Sequence, residues 1–157
     1  MKMEEAKIEL IERLEICINA VSILLVLGCL VATVTFIYTF LSFSKLNKKE
    51  KIALPIAYAL LICTCLFLVL WLQPMLCDRE YLESNEPIYI EGELIGFADA
   101  SSDEGGETNR YSPIIRINET DEEITLNIVN SDKRMKIGET YEIIYLPNTK
   151  LAEIIEE

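Results

Sequence analysis

The segment DASSDEGGETNR, residues 99–110, concentrates the side chains of this chain that could hold a ligand. Asp99, Ser101 and Asp103 alternate oxygen donors in the way a calcium-binding loop begins. The pattern then breaks. Glu104 stands where such a loop needs glycine for its sharp turn, and Arg110 stands where it needs a bidentate glutamate. The segment is therefore expected to be a solvated acidic loop without a metal or other cofactor. Asp99, Asp103, Glu104, Glu107, Arg110 and the adjoining Tyr111 are the candidate contacts to a partner.

Other chemistry is thinly supplied. The 157 residues include no histidine, and no nucleophile elbow, P-loop or dinucleotide fingerprint is present. Acid pairs are abundant, but they fall in expected hairpins and exposed strand positions. A catalytic carboxylate pair needs a cleft that raises one pKa, and a β-domain of this size rarely holds one. No enzymatic activity is expected. Asn118-Glu119-Thr120 matches a glycosylation acceptor, a triplet that matters only in a eukaryotic secretory pathway. The cysteines are Cys17, Cys29, Cys63, Cys65 and Cys77, all before the acidic half of the chain. A disulfide framework is thereby excluded from that half. Thiols in an apolar helix act mostly as small packing groups.

The elements that carry these residues follow from charge and hydropathy. No charged residue occurs from Ala20 to Phe43, nor from Ile52 to Leu76. A run of about 20 apolar residues suffices for a helix to cross hydrocarbon, where only internally bonded backbone is stable. The expectation is a transmembrane hairpin, with spans over 20–43 and 52–76 joined by a basic loop over 44–51. Pro55 is expected in the first turn of the second helix and Pro74 near its end. Trp71 suits an interface. The first run is too long for a signal-peptide core and lacks a small-residue cleavage site. Lys45, Lys48, Lys49 and Lys51 crowd the loop, and such loops stay cytoplasmic. The expected location is the cell membrane, with two passes and with termini and β-domain extracytoplasmic. Residues 1–19 form an acidic amphipathic helix on the spacing of Ile8, Ile11, Leu14 and Ile18. Gly28 with Ala32 is a small-xxx-small step, and Thr33, Thr35, Thr39 and Thr64 could help helices pack, here or in a homo-oligomer.

Charge separates the halves. Residues 1–77 carry a net +1, whereas 78–157 carry -13. A field of that sign repels nucleic acid and favours basic proteins or peptides. Past residue 78 the pattern turns to period two and β-branched residues. Strands are expected over 88–98, 111–118, 123–129, 140–146 and 150–156. Gly138 and the Pro147-Asn148-Thr149 triplet supply turns. The fold class is α+β: a two-helix membrane hairpin, then a small five-stranded antiparallel domain, barrel-like in the manner of OB or SH3 folds.

Two phrases carry a family resemblance. In LIGFADASSDEGGETNRYSPIIRI a strand and a polar loop lead to Tyr-x-Pro and a β-branched strand. In IGETYEIIYLPNTKLAEI a glycine precedes a strand ending in Tyr-x-Pro-Asn, and a last short strand follows. Together, over residues 88–156, they resemble the β-domain of the bacterial membrane proteins grouped as domain of unknown function 3592. The resemblance implies an extracytoplasmic β-module tied to membrane helices, with no catalytic residues to carry over. Here both helices precede the β-domain, whereas that family places helices on either side.

The expected function is binding. A membrane-tethered module would use strand edges and the 99–110 loop to hold a basic protein or peptide. Its sharper form is an immunity-type protein against a cationic toxin or bacteriocin. The alternative is an accessory subunit of a larger membrane complex, in which the helices carry the function.

Overall fold

A computed structural model describes residues 2–42, 47, 50–98, 112–128 and 135–155. Two long helices precede a six-stranded sheet, an α+β layout. Helix α1 spans Lys2–Ser42 and α2 spans Glu50–Ser84. The strands are β1 (Ile88–Phe97), β2 (Pro113–Ile117), β3 (Glu123–Thr125), β4 (Asn127–Ile128), β5 (Thr140–Tyr145) and β6 (Leu151–Ile155). The chain divides into two compact units. One combines Met1–Glu15 with Cys77–Glu157, and the other is Ile16–Leu76.

In the second unit the helices are long and apolar enough to cross a membrane. Leu24, Leu27, Val31 and Val34 on α1, and Leu60, Phe67 and Leu70 on α2, are each more than half exposed. The helices meet where Gly28 leaves room, since a Cβ there would lie 3.1 Å from Cys65 Sγ. Phe36 and Tyr58 meet with ring centroids 5.8 Å apart. These contacts set α1 and α2 antiparallel. The threonines do not glue the helices together through their hydroxyls. Thr33 donates to Cys29 O at 2.8 Å, Thr35 to Val31 O, Thr39 to Thr35 O and Thr64 to Leu60 O, each one turn back on its own helix.

The start of α2 differs from expectation. Asn47 and Glu50 form a reciprocal capping box: Glu50 N donates to Asn47 Oδ1 and Asn47 N to Glu50 Oε2, both at 2.9 Å. The helix thus begins earlier than residue 52 and also runs on to Ser84, so Pro55 and Pro74 are both interior. Each removes one rung of the backbone ladder, at the carbonyls of Lys51 and Leu70. Of the four loop lysines, Lys51 is described and exposed, while Lys45, Lys48 and Lys49 lie outside the described residues.

In the first unit the sheet order is β3-β2-β1-β5-β6-β4. All neighbours are antiparallel except β4 and β6, which pair in parallel. The single strand expected over 123–129 is divided at Leu126. Its side chain is fully buried, and its N–H donates to Pro113 O at 3.0 Å. One residue later, Asn127 N donates to Lys150 O at 2.8 Å. The chain thereby leaves β2 and joins β6, so the two edge strands of the sheet are one residue apart in sequence.

Period-two burial builds the core. Ile90 and Leu94 of β1, Ile115 of β2, Ile143 and Tyr145 of β5, and Ala152 and Ile154 of β6 share one cluster with Leu126 and Met135. Two further apolar surfaces in this unit are also buried. Ile144 and Leu146 follow the alternation onto the other face of the sheet. Ala6, Leu10 and Leu14 recur every four residues along α1. The buried stripe of that helix is this one. Ile8, placed on the stripe by sequence spacing, is 62% exposed, because Leu10 takes the inward position instead. Ion pairs Lys7–Glu86 at 2.8 Å and Arg79–Glu15 at 3.0 Å tie the first turns of α1 to the end of α2 and just beyond. The pairing raises the Lys7 pKa and lowers that of Glu86.

Candidate functional site

The expected contact residues Asp99, Asp103, Glu104, Glu107, Arg110 and Tyr111 all lie outside the described residues. The roots of their loop are described. Phe97 pairs with Pro113, and Ala98 N donates to Ser112 O at 2.8 Å. The β1–β2 ladder is thus closed as far as Ala98 and Ser112, just past a bulge between Leu94 and Gly96. Docking by strand addition finds little to extend, since the edge strands β3 and β4 hold three and two residues.

The same alternation that buries Ile90, Gly92 and Leu94 turns Tyr89, Glu91 and Glu93 outward. The ladder then sets their neighbours. Glu91 stands directly opposite Glu142 of β5, and Glu93 stands opposite Arg116 of β2. Arg116 in turn opposes Glu123 and bonds it at 3.2 Å, with Asp121 at 3.7 Å. Asn118 Nδ2 donates to Glu91 Oε1 at 3.1 Å. Tyr89 is 45% exposed. Its phenol pKa is raised, first by desolvation and then by the charges of Glu142 and Glu91. Across β3, β2, β1 and β5 this face presents Glu123, Glu93, Glu91 and Glu142 around one arginine. Like charges directly opposite each other oppose strand pairing, so Glu91 and Glu142 do not stabilise the sheet as a pair. What the arrangement can do is receive positive charge beside an aromatic ring.

A second constellation joins helix to sheet. Asp78, in the last turns of α2, is fully buried. Its Oδ1 accepts from Asn148 N at 2.9 Å and Asn148 Nδ2 at 2.8 Å. Its Oδ2 accepts from Thr149 N at 2.8 Å and from Thr149 Oγ1 at 2.5 Å. Two successive backbone N–H groups make a small anion nest. The turn is built to offer them. Pro147 starts it, and Lys150 closes it at φ 58° with its N–H on Leu146 O. Lys150 Nζ lies 5.3 Å from the centre of the Tyr145 ring, a cation–π contact. With four donors on two oxygens, the Asp78 carboxylate is a structural clasp.

The turn before β5 is fixed by a smaller network. Gly138 adopts φ 88° and donates its N–H to Leu94 O at 2.8 Å. Tyr141 Oη donates to Glu139 Oε2 at 3.0 Å and accepts from Lys136 N at 2.8 Å. The Tyr141 bond, then the Lys136 bond, lowers the Glu139 pKa. Burial raises that of Tyr141.

Sequence reasoning missed the Asp78 clasp and the Glu91–Glu142 opposition. The outward glutamates were visible as alternation, but only the register brings them together. No spacing signal links residue 78 to residues 148 and 149. Among the described residues no group of three His, Cys, Asp or Glu side chains is placed to hold a metal ion. No family model, no characterised protein and no solved structure matches this chain.

Proposed function

We propose that this chain is a membrane-anchored binding module. Its two apolar helices cross the membrane as a hairpin, and its acidic β-domain receives a basic protein or peptide outside the cytoplasm. The observation that carries the reading is the outward face of β1 and β5, where Glu91 and Glu142 stand opposed beside half-exposed Tyr89. A cation inserted there relieves a repulsion and can stack on a ring. In its sharpest form the partner is a cationic toxin or bacteriocin, and the module is an immunity-type protein.

Three further features support the parts of this reading. Apolar side chains exposed along both helices suit lipid as their solvent, and threonines bonded within their own helices suit an anchor more than a subunit whose helices carry the function. The edge strands β3 and β4, separated only by Leu126, suit a sheet that closes into a small barrel and leaves no exposed edge. The lysine-rich loop suits a cytoplasmic connection between the helices.

Binding and stability should respond in opposite directions. Replacing both Glu91 and Glu142 by glutamine is expected to weaken binding of a lysine-rich peptide about tenfold at low salt, the equivalent of ~1.4 kcal/mol. The melting temperature should hold or rise, because the opposed charges are gone. Titration calorimetry and thermal melts of the detergent-solubilised chain read both. Unchanged affinity, or affinity insensitive to ionic strength in the parent chain, would sink the charge-driven reading.

Orientation has its own test. In a cysteine-free variant carrying one new cysteine in the 99–110 loop, an impermeant maleimide applied to intact cells should label before lysis. Labelling confined to lysed cells would place the β-domain in the cytoplasm and reverse the reading of the lysines.

A further inference from the structure

Two cations lie just past the apolar run of α2, and the acidic binding face does not use them. Cys77 and Asp78 follow directly on the uncharged run 52–76, and α2 continues through them to Ser84. At about 1.5 Å per residue, Arg79 stands about 4.5 Å beyond Leu76 along the helix axis. The headgroup layer of a bilayer adds about 5–8 Å on each side of the hydrocarbon. With the hairpin in a membrane as proposed, Arg79 falls in that layer. Cα–Cβ bonds tilt toward a helix's N-terminus, which for α2 is the direction of Leu76 and the lipid. The Arg79 side chain is 56% exposed and meets Glu15 through Nε at 3.0 Å. Its terminal nitrogens make no hydrogen bond among the described residues.

Lys150 is brought to the same end of α2. Asp78 accepts from the N–H groups of Asn148 and Thr149, and Lys150 is the next residue. Its backbone is left-handed at φ 58°, a conformation that glycine adopts most readily. The chain keeps a lysine there against that preference. In the same unit Lys7, Arg116 and Lys136 each meet a carboxylate within 3.2 Å. Lys150 meets none among the described residues, and its ammonium lies over the Tyr145 ring. An open guanidinium and an unpaired ammonium are the groups that bind phosphate oxygens. We propose that Arg79 and Lys150 hold headgroup phosphates of anionic phospholipid and so seat the sheet unit on the membrane surface. The inference rests on the membrane reading. Residues 78–157 carry a net -13, a field that repels an anionic surface, and these two contacts oppose that repulsion where the chain meets the lipid. Glu80 is exposed next to Arg79 in sequence, but a helix turns successive residues by about 100°, so the two point in different directions.

The test is native mass spectrometry of the full chain in detergent micelles, titrated with phosphatidylglycerol. The parent chain should retain the lipid. Arg79→Gln and Lys150→Gly should each weaken retention about tenfold, the scale of one hydrogen bond to a charged group. Lys136→Gln, whose ammonium is already taken by Glu139, should match the parent. Lys150→Gly should also keep or raise the melting temperature in lipid-free detergent, because glycine relieves the left-handed turn, so its loss of lipid is not unfolding. Unchanged retention in either Arg79→Gln or Lys150→Gly, or phosphatidylcholine held as well as phosphatidylglycerol, would overturn the proposal. So would release of the lipid by millimolar inorganic phosphate, which would give the site to the free anion. Flotation with phosphatidylcholine vesicles reports the anchor separately. A chain that floats without retaining phosphatidylglycerol refutes the headgroup site and leaves the anchor intact. A chain that does not float refutes the anchor and, with it, the headgroup site.

Discussion

Replacing Asp78 by alanine is expected to destabilise the unit that holds the sheet by about 3–5 kcal/mol, the loss of two or more hydrogen bonds to a buried carboxylate once the turn has relaxed. The carboxylate is fully buried and accepts from four donors in the β5–β6 turn. Alanine leaves those donors facing a void, and each unsatisfied buried donor costs on the order of 1–3 kcal/mol before the turn relaxes. Asparagine should be nearly as damaging. Its amide has one oxygen, so its NH2 group must face either the two Asn148 donors or the Thr149 N–H. Chemical denaturation of the full chain in detergent, followed by tyrosine fluorescence, reads the loss. An asparagine variant as stable as the parent would show that the clasp is not carried by charge and acceptor count.

Replacing Gly92 by alanine should cost about 3 kcal/mol, at the upper end of the usual range for overpacking. The new Cβ would lie 2.4 Å from Ile115 Cγ2 and 2.6 Å from Arg116 O. The side chain of Ile115 could rotate away only by vacating the centre of the core, and the carbonyl belongs to the β1–β2 ladder itself. The strands would have to part. Gly96, four residues along the same strand, is the internal control, because a Cβ there meets nothing within 4 Å. Alanine at Gly96 should leave the melting temperature within a few degrees of the parent. Equal losses at the two glycines would mean that strand propensity, rather than close approach, governs both.

These two residues also show what sequence can convey. The uncharged runs announced long apolar helices, because no amphipathic alternative fits a segment such as 20–43. The turns at Gly138 and Pro147–Thr149 were legible because their φ requirements are local, and so was the alternation of 88–93. Three features were not legible, each for a physical reason. The residues EITLNIV alternate as one strand, and nothing in them tells that Leu126 will hand the chain from β2 to β6. Ile8, Leu10, Ile11 and Leu14 admit two helical stripes, and only tertiary packing selects the one through Leu10. Asp78 finds its turn across 70 residues, a distance that local pattern does not span. The Asn47–Glu50 capping box is present as a spacing, but an asparagine three residues before a glutamate fits a polar loop as well as a helix start. Of the site, the acidity of the face was readable and its register was not.

One feature of the chain path limits every topology. The unit containing the sheet is discontinuous: it holds Met1–Glu15, gives up the chain for Ile16–Leu76 and takes it back at Cys77. The Glu15–Arg79 ion pair spans the point of departure and return. A chain that leaves a folded body and comes back to it must pierce any intervening barrier an even number of times. With the helices crossing a membrane as proposed, a reporter placed before Glu15 and one placed after Cys77 should sit in the same compartment under either orientation. A single crossing would require the folded unit itself to be torn in two.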